Sequence, residues 1–342
     1  MKLNDVKQAL QHMLKIRELP ILLVLVVISI IITIANPSFA TLENFLDLFK
    51  GNLTLAIMAL GMLLVILTGG IDVSVASNIA AVTVITGYSL IHISSNLFVT
   101  LFIACFAGTA MGFINGFFIA RLKIPPIVTT LGTMSIIMGF VLYKTNGNWI
   151  TGIPDDFIQF GRTTIFNVTL ESGRVIGFPI QGFFLLPAAI LTWFILRHTV
   201  IGRGIYAIGG NLESAERMGF KSARILTFVY SYTGFLIGLA AVSHTSIMRQ
   251  VDPNAFRGFE MQVIAAVVLG GASTLGGVGS ILGTLLGVTI FCVINNGLIL
   301  MKIPTFWQKI VVGIIIVGSI AIDMAKKQQA EHRQIRVDVE QI

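Results

Sequence analysis

Long apolar runs alternate with short polar breaks along most of this chain. A run of about 20 apolar residues is what a helix needs to cross the hydrocarbon core of a bilayer. Such runs lie at about 20–35, 53–68, 71–91, 97–120, 125–143, 181–196, 225–247, 259–271, 278–300 and 306–323. The pattern predicts an all-α polytopic membrane protein of about ten transmembrane helices, some of them broken. Asn36-Pro37 ends the first run, because proline cannot continue a helix. Residues 40–51 read as a separate amphipathic piece on the outer surface. Thr68-Gly69-Gly70 ends the second span, and the third is expected to begin at once with Ile71-Asp72. The eighth is short and broken, since Gly270-Gly271 and Gly276-Gly277 flank a turn. Residues 144–180 carry Asn, Gly, Thr and Pro turn signals and form the main external loop.

One polar island stands out between the sixth and seventh spans, Arg197 to Phe220. Its glycines, Gly202, Gly204, Gly209 and Gly210, are expected to break any long helix. A short helical turn follows: Asn211 as N-cap, then Leu212, Glu213, Ser214, Ala215, Glu216, Arg217 and Met218, with Gly219 as the stop. An amide cap, an acid in the first turn, a base in the last and a glycine just past the end are mutually consistent helix signals. Leu212, Ala215 and Met218 are spaced three apart and share one face. Two readings stay open on pattern alone: an ordinary loop helix lying against the bilayer, or a docking element.

Composition supports the membrane reading. Hydrophobic residues make up 55% of the chain and charged residues 11%, against roughly 25% charged in a soluble domain. No polar gap is long enough for a sizeable soluble core. The net charge of +7 does not point to nucleic acid, because the bases cluster beside spans, as the positive-inside rule describes. With both termini cytoplasmic, the inner segments carry 15 Lys and Arg and the outer segments 8. The organisation is then a cytoplasmic segment 1–19, a transmembrane domain 20–323 with an inner loop 197–224, and a cytoplasmic tail 324–342. The first apolar run is long and lacks a small-residue cleavage site, so it is not expected to be a cleaved signal.

Little in the chain resembles an active site. There is no phosphate-binding Gly-rich loop, HExxH or CxxC, and the five histidines are scattered. Cys105 and Cys292 sit in apolar runs and read as buried free thiols. No cofactor and no metal are expected. Asp72 is different, because a charge at membrane depth is costly and tends to be functional. It either caps the third span and locks the fold, or lies near a solute path. Ser74, Ser77 and Asn78 continue a polar stripe from it, and Asn115 and Asn295 are amides inside other spans. Gly69-Gly70 and Gly270-Gly271 break corresponding apolar runs, and such breaks point to a transport pathway.

Four ordered stretches carry a resemblance: LTGGIDVSVAS (67–77), GFINGFFIARLKIPPIVTTLGTMSIIMGF (112–140), GRGIYAIGGNLESAERMGF (202–220) and VIAAVVLGGASTLGGVGSILGTLLG (263–287). They resemble the ribose-type permeases of bacterial ABC importers, a branch that includes permeases for other monosaccharides and autoinducer-2. The resemblance implies a permease without catalysis of its own in the bacterial inner membrane. It implies three partners: a cytoplasmic ABC ATPase, a second permease subunit, and an extracytoplasmic sugar-binding protein. It also implies that Asn211–Gly219 is the coupling helix that seats on the ATPase. Ala76 stands where the family commonly has glycine, and Glu213-Ser214-Ala215-Glu216 replaces a more usual Ala-Ala pairing. An ion-coupled secondary transporter is the rival; it leaves the capped helix without a task. A membrane-embedded enzyme needs clustered His, Asp or Glu at one depth, which the sequence lacks.

Overall fold

Caps and glycine pairs set the helix ends in the computed structural model. It describes residues 18–304 apart from 171 and 172, and beyond them 306–311, 313, 314, 317, 318, 321 and 324. The expected terminal segments 1–19 and 324–342 lie almost wholly outside the described residues, and the expected span 306–323 lies partly outside them. α1 (Leu19–Ala35) passes through a 3-10 turn, Pro37–Ala40, into α2 (Leu42–Leu67). α2 is one continuous helix, which corrects the separate surface piece expected at 40–51. Thr41 caps it by accepting from the Asn44 amide at 3.3 Å, and Gly51 inside it is simply exposed. α3 (Val75–His92), α4 (Leu97–Arg121) and α5 (Pro126–Thr145) follow. α3 starts four residues later than the hydrophobic pattern suggests, because residues 71–74 form a hydrogen-bonded turn around Asp72.

The loop expected at 144–180 contains α6 (Asp155–Arg162) and a hairpin, β1 (Thr164–Thr169) with β2 (Val175–Pro179), antiparallel with an irregularity between Ile165 and Val168. α7 (Gly182–His198) turns by 74° into α8 (Val200–Gly210). α8 corrects the expectation that its glycines break the helix. Gly202 and Gly204 are helical and allow close approach: a β-carbon on Gly202 would lie 2.3 Å from the Ile195 carbonyl oxygen, and one on Gly204 2.4 Å from Ile225. α9 (Leu212–Arg217), α10 (Ser222–Met248), α11 (Phe259–Leu269) and α12 (Ile281–Leu300) complete the described elements.

Six helices, α2, α3, α4, α5, α10 and α12, are long and apolar enough to cross a membrane, and the bent pair α7–α8 makes seven. α1 and α11 are shorter apolar helices of 17 and 11 residues. At 1.5 Å per residue they reach about 26 and 17 Å, short of a hydrocarbon core of about 30 Å. Among the described residues six or seven helices are thus long enough for a full crossing, against about ten expected spans, of which 306–323 lies partly outside the described residues.

α2 is the central post, with every residue from Leu53 to Leu67 buried. α10 packs most closely on α4. In lipid, where apolar burial gives little net drive, such pairs rest on close van der Waals contact between small residues. Gly108, Gly112 and Gly116 form that stripe on α4. Added β-carbons at Gly108 and Gly112 would each lie 2.1 Å from a carbonyl oxygen of α10, those of Gly234 and Tyr230. At one end of the bundle Asn36 donates to the Leu300 carbonyl at 3.0 Å and Asn44 pairs with Asn296. At the other, Ser280 donates to Glu18 at 2.8 Å, close to the turns that end α2 and α8.

Candidate functional site: a polar break and a capped helix

The α2–α3 break gathers five of the six polar pathway candidates, Asp72, Ser74, Ser77, Asn78 and Asn115. Asp72 is only 1% exposed. Its Oδ1 accepts from the Ser74 amide at 2.9 Å and from Ser74 Oγ at 2.6 Å. Ser74 Oγ in turn accepts from Asn78 Nδ2 at 3.1 Å and from Asn115 Nδ2 at 2.8 Å. Ser77 donates to the Ser74 carbonyl at 2.8 Å. One serine hydroxyl thus joins the break, α3 and α4. Two donors on one carboxylate oxygen offset part of the desolvation that burial imposes on it. Asp72 does not cap α3 directly; Ser74 holds the cap position, with its hydroxyl committed to Asp72.

Two contributors carried no signal in the sequence. Thr130 on α5 accepts from the Val73 amide at 3.2 Å, so a third helix holds the break. Tyr230 on α10 lies against Gly70: a β-carbon there would be 2.8 Å from its hydroxyl. The remaining pathway candidates lie elsewhere. Gly270 allows α12 to approach, since its β-carbon would lie 2.3 Å from the Gly283 carbonyl oxygen, and Gly271 takes φ +84° in the turn. Asn295 is half-buried on α12, a helix that packs mainly on α11, α2 and α1. None of the three bonds to the Asp72 group among the described residues.

α9 is stapled at both ends. Asn211 Oδ1 accepts from the Ser214 amide at 2.8 Å. At the exit, Gly219 takes φ +90°, the Phe220 amide reaches the Ala215 carbonyl at 3.1 Å, and the Gly219 amide reaches that of Glu216 at 2.9 Å. This pair of bonds is a Schellman stop, which needs the left-handed conformation that glycine supplies. Glu213 and Arg217 form an exposed pair one turn apart at 2.5 Å, and Ser222 donates to Glu216. The single apolar face expected for Leu212, Ala215 and Met218 is corrected. Ala215 is fully buried against the chain itself, whereas Leu212 and Met218 are exposed. Ala215 anchors the turn, and the outward surface is Leu212 and Met218 within a charged rim.

A cavity of 310 Å³ opens between the first turns of α3, the middle of α5 and the approach to α11. Ser77, Ser135, Arg257 and Glu260 are its polar lining, among Met134, Met138 and alanine side chains. Of the residues picked as pathway candidates, it includes Ser77 alone. A larger groove of 740 Å³ is almost wholly apolar and lies between α1, α2 and α12, away from the polar break.

Comparison with known proteins adds the family. Residues 44–320 match the family described as branched-chain amino acid transport system / permease component. The ribose import permease protein RbsC of Bacillus subtilis is 37% identical over 304 residues, covering 88% of this chain and 91% of that protein. The Escherichia coli K12 protein of the same name is 35% identical over 307 residues, covering 90% and 93%. The autoinducer 2 import system permease protein LsrC of Photorhabdus luminescens is 33% identical over 307 residues, covering 90% and 89%. No solved structure matches the chain.

Proposed function

This chain belongs to the family of permease components matched above, the non-catalytic membrane subunits of ABC importers, and on that premise we propose that it passes a small polyhydroxylated solute of the pentose class, driven by an ATPase subunit seated on α9. Two relatives named for ribose and one named for autoinducer 2, each aligned along nearly their whole length, favour this cargo class over a branched-chain amino acid. The cavity between α3, α5 and α11 suits such a cargo. It lies at the depth of the middle of α5, it sits near the lower limit of small-molecule sites, roughly 300–1,000 Å³, and it offers hydroxyl, guanidinium and carboxylate groups to a ring of hydroxyls.

The observation that carries the proposal is the construction of α9. A six-residue helix is marginal alone, yet this one is fixed by Asn211, by the Gly219 stop and by the buried Ala215. A loop helix without a mechanical task has no need of all three. Leu212 and Met218 then project as an apolar knob for a groove on the ATPase. Exposed rim charges contribute little, so the knob dominates affinity. The extracytoplasmic solute-binding protein and a second permease subunit complete the importer. The exposed apolar sides of α4 and α5 are the surfaces open to that subunit or to lipid.

The test is uptake of labelled ribose into vesicles reconstituted with permease, ATPase and binding protein, with leucine as competitor. Ribose should enter on ATP addition, and excess leucine should leave its entry unchanged. Met218→Asp should weaken ATPase association at least tenfold, about 1.4 kcal/mol, with matching loss of uptake. Leucine entry in place of ribose overturns the cargo class, and undiminished association in Met218→Asp overturns the docking surface.

A further inference from the structure

Gly69, Gly209, Gly276 and Gly277, far apart in the chain, meet at one point. The Gly277 amide, in the turn between α11 and α12, donates to the Leu67 carbonyl at the end of α2, at 2.9 Å. Gly209, near the end of α8, lies directly against that bond: a β-carbon there would sit 1.8 Å from the Leu67 oxygen and 2.4 Å from the Gly277 nitrogen. Gly276, at φ +92°, closes the cluster, and a β-carbon on it would lie 2.8 Å from the Gly209 oxygen and 2.9 Å from the Gly69 nitrogen. A second link runs in parallel, from the Tyr206 hydroxyl of α8 to the Gly279 carbonyl at 3.1 Å. Gly210 is the instructive contrast, because a β-carbon on it would meet nothing within 4 Å.

The position of this cluster matters. Gly209 is two residues before Asn211, the cap of α9. Leu67 and Gly69 lead directly into the Asp72–Ser74 turn. Gly276 and Gly277 lie in the break that precedes α12. Backbone packed on backbone, with no side chain between to change rotamer, leaves no slack in the contact. A shift of α9 therefore reaches both helix breaks at once, through Leu67 on one side and Gly277 on the other.

We propose that Gly209 is a positioning residue for energy coupling: it holds the α8–α9 corner in direct backbone contact with both broken segments, so that movement of α9 opens or closes them together. The proposal rests on the reading of α9 as the ATPase-docking helix, and the test separates the two. The full importer is reconstituted in vesicles, and the readouts are ATPase association, and ribose moved per ATP hydrolysed. Gly209→Ala should keep the ATPase bound while the transport ratio falls at least tenfold; Gly210→Ala should match the unaltered chain in both. A normal ratio in Gly209→Ala overturns the proposal. Undiminished association in Met218→Asp instead overturns the docking reading, and with it the coupling role of Gly209. If Gly209→Ala does not insert, Tyr206→Phe decides, because it removes one hydroxyl and adds no atom. Its transport ratio should fall two- to fivefold with assembly intact, and an unchanged ratio counts against the junction.

Discussion

Asp72 shows how a single buried charge is made tolerable and what it then holds. Its carboxylate is taken up by the Ser74 amide and hydroxyl, and that hydroxyl collects two amide donors from α3 and α4. Removing the acceptor leaves buried donors unpaired, which costs about 1–3 kcal/mol. Asp72→Ala should therefore impair assembly or uptake. Asp72→Asn keeps one acceptor oxygen and should retain more of both, because the hydrogen bonds and not the charge hold the turn. Thermal melting of the detergent-purified permease, alongside uptake, checks this; equal loss in both variants would show that the charge itself is needed. The polar residue after a glycine pair was visible in the sequence. The roles of Thr130 and Tyr230 were not, since each is an ordinary residue in an apolar run whose partner lies on another helix. Ser77 was legible by its place on the stripe, whereas Asn295 stands out in the sequence by type alone and the fold sets it on α12.

At the scale of elements, end signals were legible and facing directions were not. Asn211 and Gly219 bound α9 as the residue types require, yet three-residue spacing in a helix this short does not say which side meets the protein. Burial of Ala215 decides it. In α8 the glycines do not break the helix, for a related reason. Glycine weakens a helix only modestly, by roughly 1 kcal/mol relative to alanine, and tertiary contact outweighs that where backbones approach. The same logic governs α4 and α10. Gly112 sits where its β-carbon would lie 2.1 Å from the Tyr230 carbonyl oxygen, so any side chain forces the helices apart. Gly112→Val should destabilise the permease by about 1–3 kcal/mol, the usual range for overpacking. Gly139→Val, on an open face of α5 with nothing within 4 Å, should be nearly neutral. Parallel melting curves of the two variants make the comparison, and equal stability would mean that α4 and α10 are not the tight pair described here.

For the whole molecule, the question is which end of the bundle faces the cytoplasm. The membrane class, most spans and the glycine breaks were legible because hydropathy reports them residue by residue. The meeting of residues 67, 209 and 277 was not, because nothing local in a sequence records contact between segments so far apart. The fold fixes relative placement. Thr163 accepts from the Ile180 amide just before α7 begins, whereas Ser214 lies beyond the far end of α7, on α9. The bent pair α7–α8, long and apolar enough together to make one crossing, lies between them. We predict that the two sites face opposite sides of a membrane. The excess of Lys and Arg in the segments grouped with 197–224 predicts that this side is the cytoplasmic one. Both Ser214 and Thr163 are exposed, so each accepts a cysteine without disturbing packing. In a background with Cys105 and Cys292 replaced by alanine, a membrane-impermeant thiol reagent applied to cells with a permeabilised outer membrane and an intact inner membrane should label Thr163→Cys and spare Ser214→Cys. Inside-out vesicles should give the reverse. Labelling of Ser214→Cys from outside would turn the bundle over, place α9 where no ATPase could reach it, and remove the basis for its role in coupling.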